Sequence, residues 1–187
     1  MIDIGDVLRK FLHNTLDARF LQYHHKNLCN TPCPDCPERD KRIYENGTQV
    51  ELPAHPLCDC FYENVETKKA GTISELGING PDAQLKLFGK LPDYYITKQE
   101  AEEKYGWDNS KNTIAGKAPG KMIGGDVYYN KNHILPEKEG RVWYECDVDY
   151  KSGSRNCPRL FYSNDGLMFY STSHIEKNIE FTIYNVN

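Results

Sequence analysis

Arg141-Val142-Trp143-Tyr144-Glu145-Cys146-Asp147-Val148-Asp149-Tyr150 alternates from end to end. Val142, Tyr144, Cys146, Val148 and Tyr150 form one face, and Arg141, Trp143, Glu145, Asp147 and Asp149 the other. A period of two in a stretch rich in β-branched and aromatic residues predicts a strand. Two more strands are expected at residues 160–163 and 167–172, with turns at Lys151-Ser152-Gly153 and Asn164-Asp165-Gly166 and a terminus at His174. Upstream, Thr97 with Glu100 three residues later forms a capping box, so a helix is expected from Lys98 to near Gly106. A helix followed by an antiparallel meander gives an α+β fold, an antiparallel sheet packed on N-terminal helices.

The meander also brings charge together. Glu145 and Asp147 on one strand can meet Arg155 and Arg159 on the next, and His174 at the edge of a third. A carboxylate and an imidazole supply a base and an acid, and two guanidinium groups clamp an anion. That combination suits phosphodiester cleavage without a metal. The alternative from the pattern alone is a solvated sheet face laced by cross-strand ion pairs.

The whole chain has 187 residues with 39% hydrophobic, 27% charged and 12% aromatic residues. No run of about 18 apolar residues occurs, which argues against a helical membrane span. The aromatic content argues against a disordered chain. A net charge of −4 excludes a basic nucleic-acid coat protein but not a nuclease, because local Lys and Arg clusters focus a field that net charge hides. Met1-Ile2-Asp3-Ile4-Gly5-Asp6 has neither a basic nor an apolar signal region, so cytoplasmic synthesis is expected.

The first third differs in kind. Residues 6–27 place Val7, Leu8, Phe11, Leu12, Leu16, Phe20, Leu21 and Tyr23 at helical spacing, with His24 and His25 as surface residues at the helix end. Then come Cys29, Cys33-Pro34-Asp35-Cys36, His55 and Cys58-Asp59-Cys60. A C-x-x-C pair and a second close pair some twenty residues on fit a tetrahedral zinc site. The module is poor in large apolar residues and needs such a staple. Cys33 and Cys36 lead the ligand set, His55, Cys58 and Cys60 compete for the other places, and Cys29 is spare. Disulfides or free thiols are the alternative. The Gly- and Pro-bearing stretch from Lys68 to Pro81 reads as a connection. The expected organisation is a helix and zinc clasp at 1–66, a linker at 67–84 and a second domain at 85–187.

Two resemblances add to this reading. Cys33-Pro34-Asp35-Cys36, Arg39-Asp40-Lys41-Arg42-Ile43-Tyr44 and His55-Pro56-Leu57-Cys58-Asp59-Cys60 resemble the cysteine-rich tail of phage head-morphogenesis (minor head) proteins. Further on, Leu91-Pro92-Asp93-Tyr94-Tyr95-Ile96-Thr97-Lys98, Ala118-Pro119-Gly120-Lys121-Met122-Ile123-Gly124-Gly125-Asp126, Gly140-Arg141-Val142-Trp143-Tyr144-Glu145-Cys146-Asp147, Ser152-Gly153-Ser154-Arg155-Asn156, Arg159 and Thr172-Ser173-His174 resemble the barnase-type bacterial ribonucleases. That resemblance implies an endoribonuclease that cleaves single-stranded RNA through a 2',3'-cyclic phosphate and needs no cofactor for catalysis. It assigns Glu145 as general base, His174 as general acid, Arg155 and Arg159 as phosphate ligands and Lys98 as transition-state cation. Asp126 orients Lys98, Asp147 braces the arginines, and Tyr128, Tyr129, Asn130, Lys131 and Asn132 form the base-binding loop.

Three departures stand out. Asn132 replaces the family's acidic guanine reader, Lys131 its arginine, and Ile175 the tyrosine after the acid histidine. Guanine preference is therefore left open. The family's first helix has no evident counterpart, because the Gly- and Pro-bearing connection reads as helix-breaking. The implied partners are an RNA substrate and a barstar-like acidic inhibitor, with no membrane. The implied context is a toxin of phage-related origin, delivered into target cells or carried on a phage-related particle. A phage structural or adaptor protein with a degenerate nuclease domain is the alternative.

Overall fold

The computed structural model describes residues 19–25, 35–55, 58–173 and 179–184. The chain forms two compact units. The first is Met1–Val65 together with Asn130–Lys138, and the second is Glu66–Tyr129 together with Glu139–Asn187. His174, Cys29, Cys33 and residues 6–18 and 26–27 of the helix expected at 6–27 lie outside the described residues.

The second unit is built on one seven-stranded sheet. Its strands are β4 (Glu66–Lys69), β5 (Tyr95–Ile96), β6 (Met122–Tyr128), β7 (Trp143–Asp147), β8 (Arg159–Ser163), β9 (Met168–Ser171) and β10 (Ile179–Tyr184), in the order β4-β10-β9-β8-β7-β6-β5. The predicted meander is its centre: β6 to β10 pair antiparallel in sequence order. β4 joins β10 and β5 joins β6 in parallel at the two edges. The predicted alternation sends Cys146, Val148, Leu160 and Met168 into one apolar cluster with Tyr95.

Three helices accompany this sheet: α2 (Pro81–Phe88), α3 (Lys98–Tyr105) and α4 (Ile114–Lys117). α3 carries the predicted capping box in full, with Thr97 Oγ1 accepting from the Glu100 N–H at 3.1 Å and Glu100 accepting from the Thr97 N–H at 3.2 Å. Ala101, Trp107, Ile114, Ile123 and Tyr150 close a second apolar cluster around α3 and α4.

Helix α2 corrects the expectation that the first helix of the resembled fold is missing. Pro81 does not break it. Pro81 opens it, where a missing N–H costs nothing, and Gly89 closes it in the left-handed conformation at φ 70°. Leu85 of α2 packs on the sheet cluster. Residues 67–84, read as a linker, hold most of β4, a 3-10 turn at Gly77–Asn79 and the start of α2. Two carboxylates fix this segment. Buried Asp82 accepts from the Gly71 N–H at 2.6 Å, and Asp149 accepts from Ser74 Oγ at 2.7 Å and from the Glu75 N–H.

The first unit is smaller. Its sheet has the order β2-β1-β3, from β1 (Phe20–His24), β2 (Ile43–Glu45) and β3 (Phe61–Asn64), with a single helical turn α1 (Cys36–Arg39). Tyr23, Cys36 and Cys60 are its buried cluster, flanked by Tyr44, Tyr62, Leu52 and Cys58. The expectation of helix through residue 27 is overturned at Phe20–His24. Pairing with β2 on one side and β3 on the other satisfies this strand's backbone and buries Phe20, Leu21 and Tyr23. Tertiary pairing overrides the local period, as it does when an apolar run is short. No helix among the described residues is long and apolar enough to cross a membrane.

Candidate active site and cysteine–histidine cluster

Register places the charges. On β7, Glu145 lies opposite Asp126 of β6, and Asp147 lies opposite Arg159 of β8. A bulge between Gly124 and Asp126 re-aims β6, with Gly125 at φ 95°. Gly124 permits this close pairing. A Cβ there would run into Cys146 Cβ and stand 2.7 Å from the Tyr95 ring.

Around Glu145 the contacts are short. Lys98 Nζ donates to Glu145 Oε1 at 2.6 Å. Lys98 is the first residue of α3, and its backbone N–H donates to both oxygens of Asp126 at 3.2 and 3.1 Å. A carboxylate at a helix start is a favourable arrangement, and it fixes the stem of the lysine. Arg159 Nε lies 3.9 Å from the other oxygen of Glu145. Burial works to raise the Glu145 pKa, but the bond to Lys98 and the charges of Lys98, Arg159 and Arg155 outweigh it. The net effect holds this carboxyl below its ordinary value. It is therefore ionised at neutral pH and ready to accept a proton.

Asp147 is the second centre and is fully buried. It accepts from Arg155 Nε and Nη2 at 2.8 Å each, and from Arg159 Nη1. The bidentate pairing fixes the Arg155 guanidinium plane, and Arg159 is held by its Nη1 on Asp147 and its Nη2 on the Arg155 carbonyl. Burial works to lower the Arg155 pKa and Asp147 more than offsets it, so Arg155 stays charged. Arg155 also stacks over Trp107, 5.7 Å from the ring centroid. A cleft of about 520 Å3 beside it is bounded by Lys98, Trp107, Lys111, Asn112 and Arg155. The sheet face is thus not the solvated surface of the alternative reading. Asp147 and Arg159 are wholly enclosed, and Trp143, Phe161 and Phe169 are buried on the same face.

Lys98, Asp126, Glu145, Arg155 and Arg159 come together as the sequence suggested. Of the expected base-binding residues, Tyr128 packs against Phe161 at 4.7 Å, Tyr129 is largely exposed, and Lys131 and Asn132 are exposed. Asn130 is buried, and its amide both donates to and accepts from the backbone of Leu135 at 3.0 Å. Trp107 escaped the sequence reading. Its only signal was its place just after the helix stop Gly106.

In the first unit, two triads of ligand atoms share Cys36: His25, Cys36 and Cys60, and Cys36, His55 and Cys58, with all atoms of each triad within 4.8 Å. Cys36 Sγ stands 3.5 Å from His55 Nε2, and Cys60 Sγ stands 3.5 Å from His25 Nδ1. These are the edge lengths that ligands of a tetrahedral zinc ion adopt when each bond is about 2.0–2.3 Å. His25 is a correction. It was read as a surface residue, but the strand hands it to the cysteines, and its backbone N–H is tied to Asp40 at 2.9 Å. Its neighbour His24 instead stacks on Phe61 and meets Lys41 and Glu63. At Cys58, burial disfavours the thiolate, but backbone hydrogen bonds from Cys60 and Ala54 and the neighbouring thiols bring its pKa below the ordinary value. Among the described residues Cys58 and Cys60 are free thiols.

Two guanidinium groups fixed by Asp147 thus stand beside an ionised carboxylate on an antiparallel sheet. Sequence relatives give this arrangement its class. A family model for ribonuclease matches residues 82–182. The chain belongs to the ribonuclease family, and its class of activity is that of an endoribonuclease. It is 49% identical over 87 residues to a ribonuclease of Heyndrickxia coagulans, covering 46% of this chain and 79% of that protein. It is equally similar to ribonucleases of Bacillus intermedius and Bacillus pumilus, of whose length the match spans 53%.

Proposed function

We propose that the second unit cleaves single-stranded RNA by transesterification. The carboxylate of Glu145 takes the proton of a ribose 2'-hydroxyl, and the 2'-oxygen attacks the adjacent phosphorus. The bond from phosphorus to the 5'-oxygen breaks, and the imidazolium of His174 protonates that leaving oxygen. The product is a 2',3'-cyclic phosphate, which water opens with the two roles reversed. Lys98, Arg155 and Arg159 neutralise the charge that gathers on the phosphate. The observation that carries this reading is Glu145, held ionised by Lys98 at 2.6 Å beside two arginines already fixed by Asp147. Every step uses a side chain of this unit, so catalysis needs no metal. The adaptor reading has nothing comparable in its favour, because this charge arrangement is intact. The test is a pair of single-stranded substrates of one sequence, RNA and DNA. RNA is cut and DNA resists, since DNA lacks the attacking hydroxyl; equal cutting of both would exclude the mechanism.

In the same reading the first unit binds one structural zinc ion through four donors drawn from His25, Cys36, His55, Cys58 and Cys60, which form the two triads, and Cys33 of the C-x-x-C pair. The ion supplies folding free energy to a small unit, where it adds to the buried cluster of Tyr23, Cys36 and Cys60. A ribonuclease made in the cytoplasm is toxic, which motivates a barstar-like acidic inhibitor and a role as a toxin of phage-related origin, delivered to target cells or carried on a particle. Expression without a protective neighbouring gene product tests the inhibitor: the active protein should be tolerated only with it.

A further inference from the structure

The segment that the ribonuclease resemblance assigns to base recognition does not fold wholly with the ribonuclease unit. The chain leaves the second unit after Tyr129 and returns at Glu139, and Asn130–Lys138 belongs to the cysteine–histidine unit. Within that unit the segment is anchored by backbone and by burial. The N–H of Ile43 in β2 donates to the carbonyl of Ile134 at 2.7 Å. Ile134 and Leu135 are 2% and 1% exposed, and Ile43 is 2% exposed.

The loop is also closed on itself. The Asn130 amide clasps the backbone of Leu135 in both directions, and the His133 N–H donates to the Asn130 carbonyl at 2.8 Å. Asn130 and His133 both sit in the left-handed region, at φ 47° and 53°. Such positions persist only where surrounding structure holds them. Lys131, Asn132 and His133 are left facing solvent at the tip. From the cluster, Cys36 opens α1, Arg42 bonds back to Arg39 of α1 and to Tyr23 of β1, and Ile43 is the next residue. The path from a cysteine of the cluster to the loop is therefore one turn of chain and one hydrogen bond.

We propose that the cysteine–histidine unit is a platform that sets the conformation of the base-recognition loop. Ile43, Ile134 and Asn130 are positioning residues, and discrimination between bases 5' to the cut requires this unit to be folded. The inference rests on the assignment of the loop to base recognition in the proposed function. It goes beyond that reading by making specificity, and not the chemical step, depend on the first unit.

The test uses the full chain and three forms: wild type, Ile43→Asp, and the conservative Ile43→Val. Three quantities are read. Hydrogen exchange follows the amides of His133 and Leu135. Calorimetry gives the affinities for the four nucleoside 3'-monophosphates, a readout that needs no catalysis. Steady-state kinetics on dinucleotides separates kcat from KM. In wild type the two amides are protected and one nucleotide is preferred. In Ile43→Asp, protection is lost and the preference falls by about tenfold, the worth of one or two hydrogen bonds to a base. KM rises while kcat stays within about threefold of wild type, and Ile43→Val restores all three. Removing metal with a chelator from wild type should reproduce the Asp variant. A protein that binds the four nucleotides alike, or keeps its preference while protection is lost, overturns the proposal. So does a fall in kcat with the nucleotide preference unchanged. Absence of RNA cleavage with a nucleotide preference that responds as described would instead count against the proposed reaction alone.

Discussion

The two units solve the stability problem differently. Among the described residues the ribonuclease unit has seven strands, with apolar clusters on the sheet and around α3 and α4. Among the described residues the cysteine–histidine unit has three short strands, and two of the three residues buried together at its centre, Tyr23, Cys36 and Cys60, are cysteines. A large sheet buries enough apolar surface to hold a charged site against its own desolvation cost. A small one needs a staple, because little of its surface is removed from water. The same contrast governs what each unit carries: the cysteine–histidine unit includes the loop Asn130–Lys138, and the ribonuclease unit holds an ionised carboxylate, the enclosed Arg159 and the half-buried Arg155.

The largest effect expected is on the smaller unit. Elemental analysis of protein purified without added metal should give one zinc per chain. Stripping it should cost that unit on the order of 10 kcal/mol, enough to unfold it, while the larger unit keeps its own unfolding transition. A single shared transition, or a metal-free protein with both units folded, breaks the comparison. Next, Asp147→Ala should destabilise the larger unit by about 3–5 kcal/mol, because Arg155 and Arg159 lose the carboxylate that compensates their burial. Chemical denaturation measures this, and a change below about 1 kcal/mol would show that the buried network is not what holds the sheet face. Glu145→Ala and His174→Ala should each lower kcat by about 10²–10⁴-fold with the fold retained. Retention of more than about a tenth of the activity by either variant would remove that residue from the acid–base pair.

The smallest effect is a shift along the pH axis. Lys98 is the main group holding the Glu145 pKa below 4.5, against burial. The acid limb of kcat/KM in wild type is therefore expected at a pH below the ordinary value of a glutamate, where the base becomes protonated. In Lys98→Met the bond and the charge are gone and burial remains, so the limb moves to higher pH. The sign for stability follows from the same depression. The carboxylate stabilises the fold at neutral pH, and that contribution is lost as the pH falls through the lowered pKa. An unmoved limb in Lys98→Met would mean that Glu145 is not the group titrating.

The larger unit was the more legible of the two. Strict alternation at 142–150 identified β7, and the capping box at Thr97 and Glu100 identified α3, because both are local signals that burial then reinforces. The site was legible for the same reason: strand register converts spacing into proximity, so Asp147 and Arg159 had to meet. Helix α2 was hidden because Gly80 and Pro81 punctuate a helix start and a break alike. In the smaller unit the cysteines announced the cluster, but Phe20–His24 read as helix and took His25 out of consideration. A central strand with partners on both sides has no period of its own to display. The departure of Asn130–Lys138 from one unit to the other left no local trace, since it depends on the partner that Ile43 finds far away in the chain.

Digestion of a single-stranded RNA in the presence of EDTA, with the new ends mapped over time, tests the central claim most directly. The account predicts that at saturating RNA cutting continues in the chelator, with kcat within about threefold, and that 2',3'-cyclic phosphate ends appear first and then decay to 3'-phosphates. Ends carrying a 5'-phosphate and a 3'-hydroxyl from the outset would contradict it, because they require an attacking water in place of the 2'-hydroxyl that Glu145 is proposed to activate.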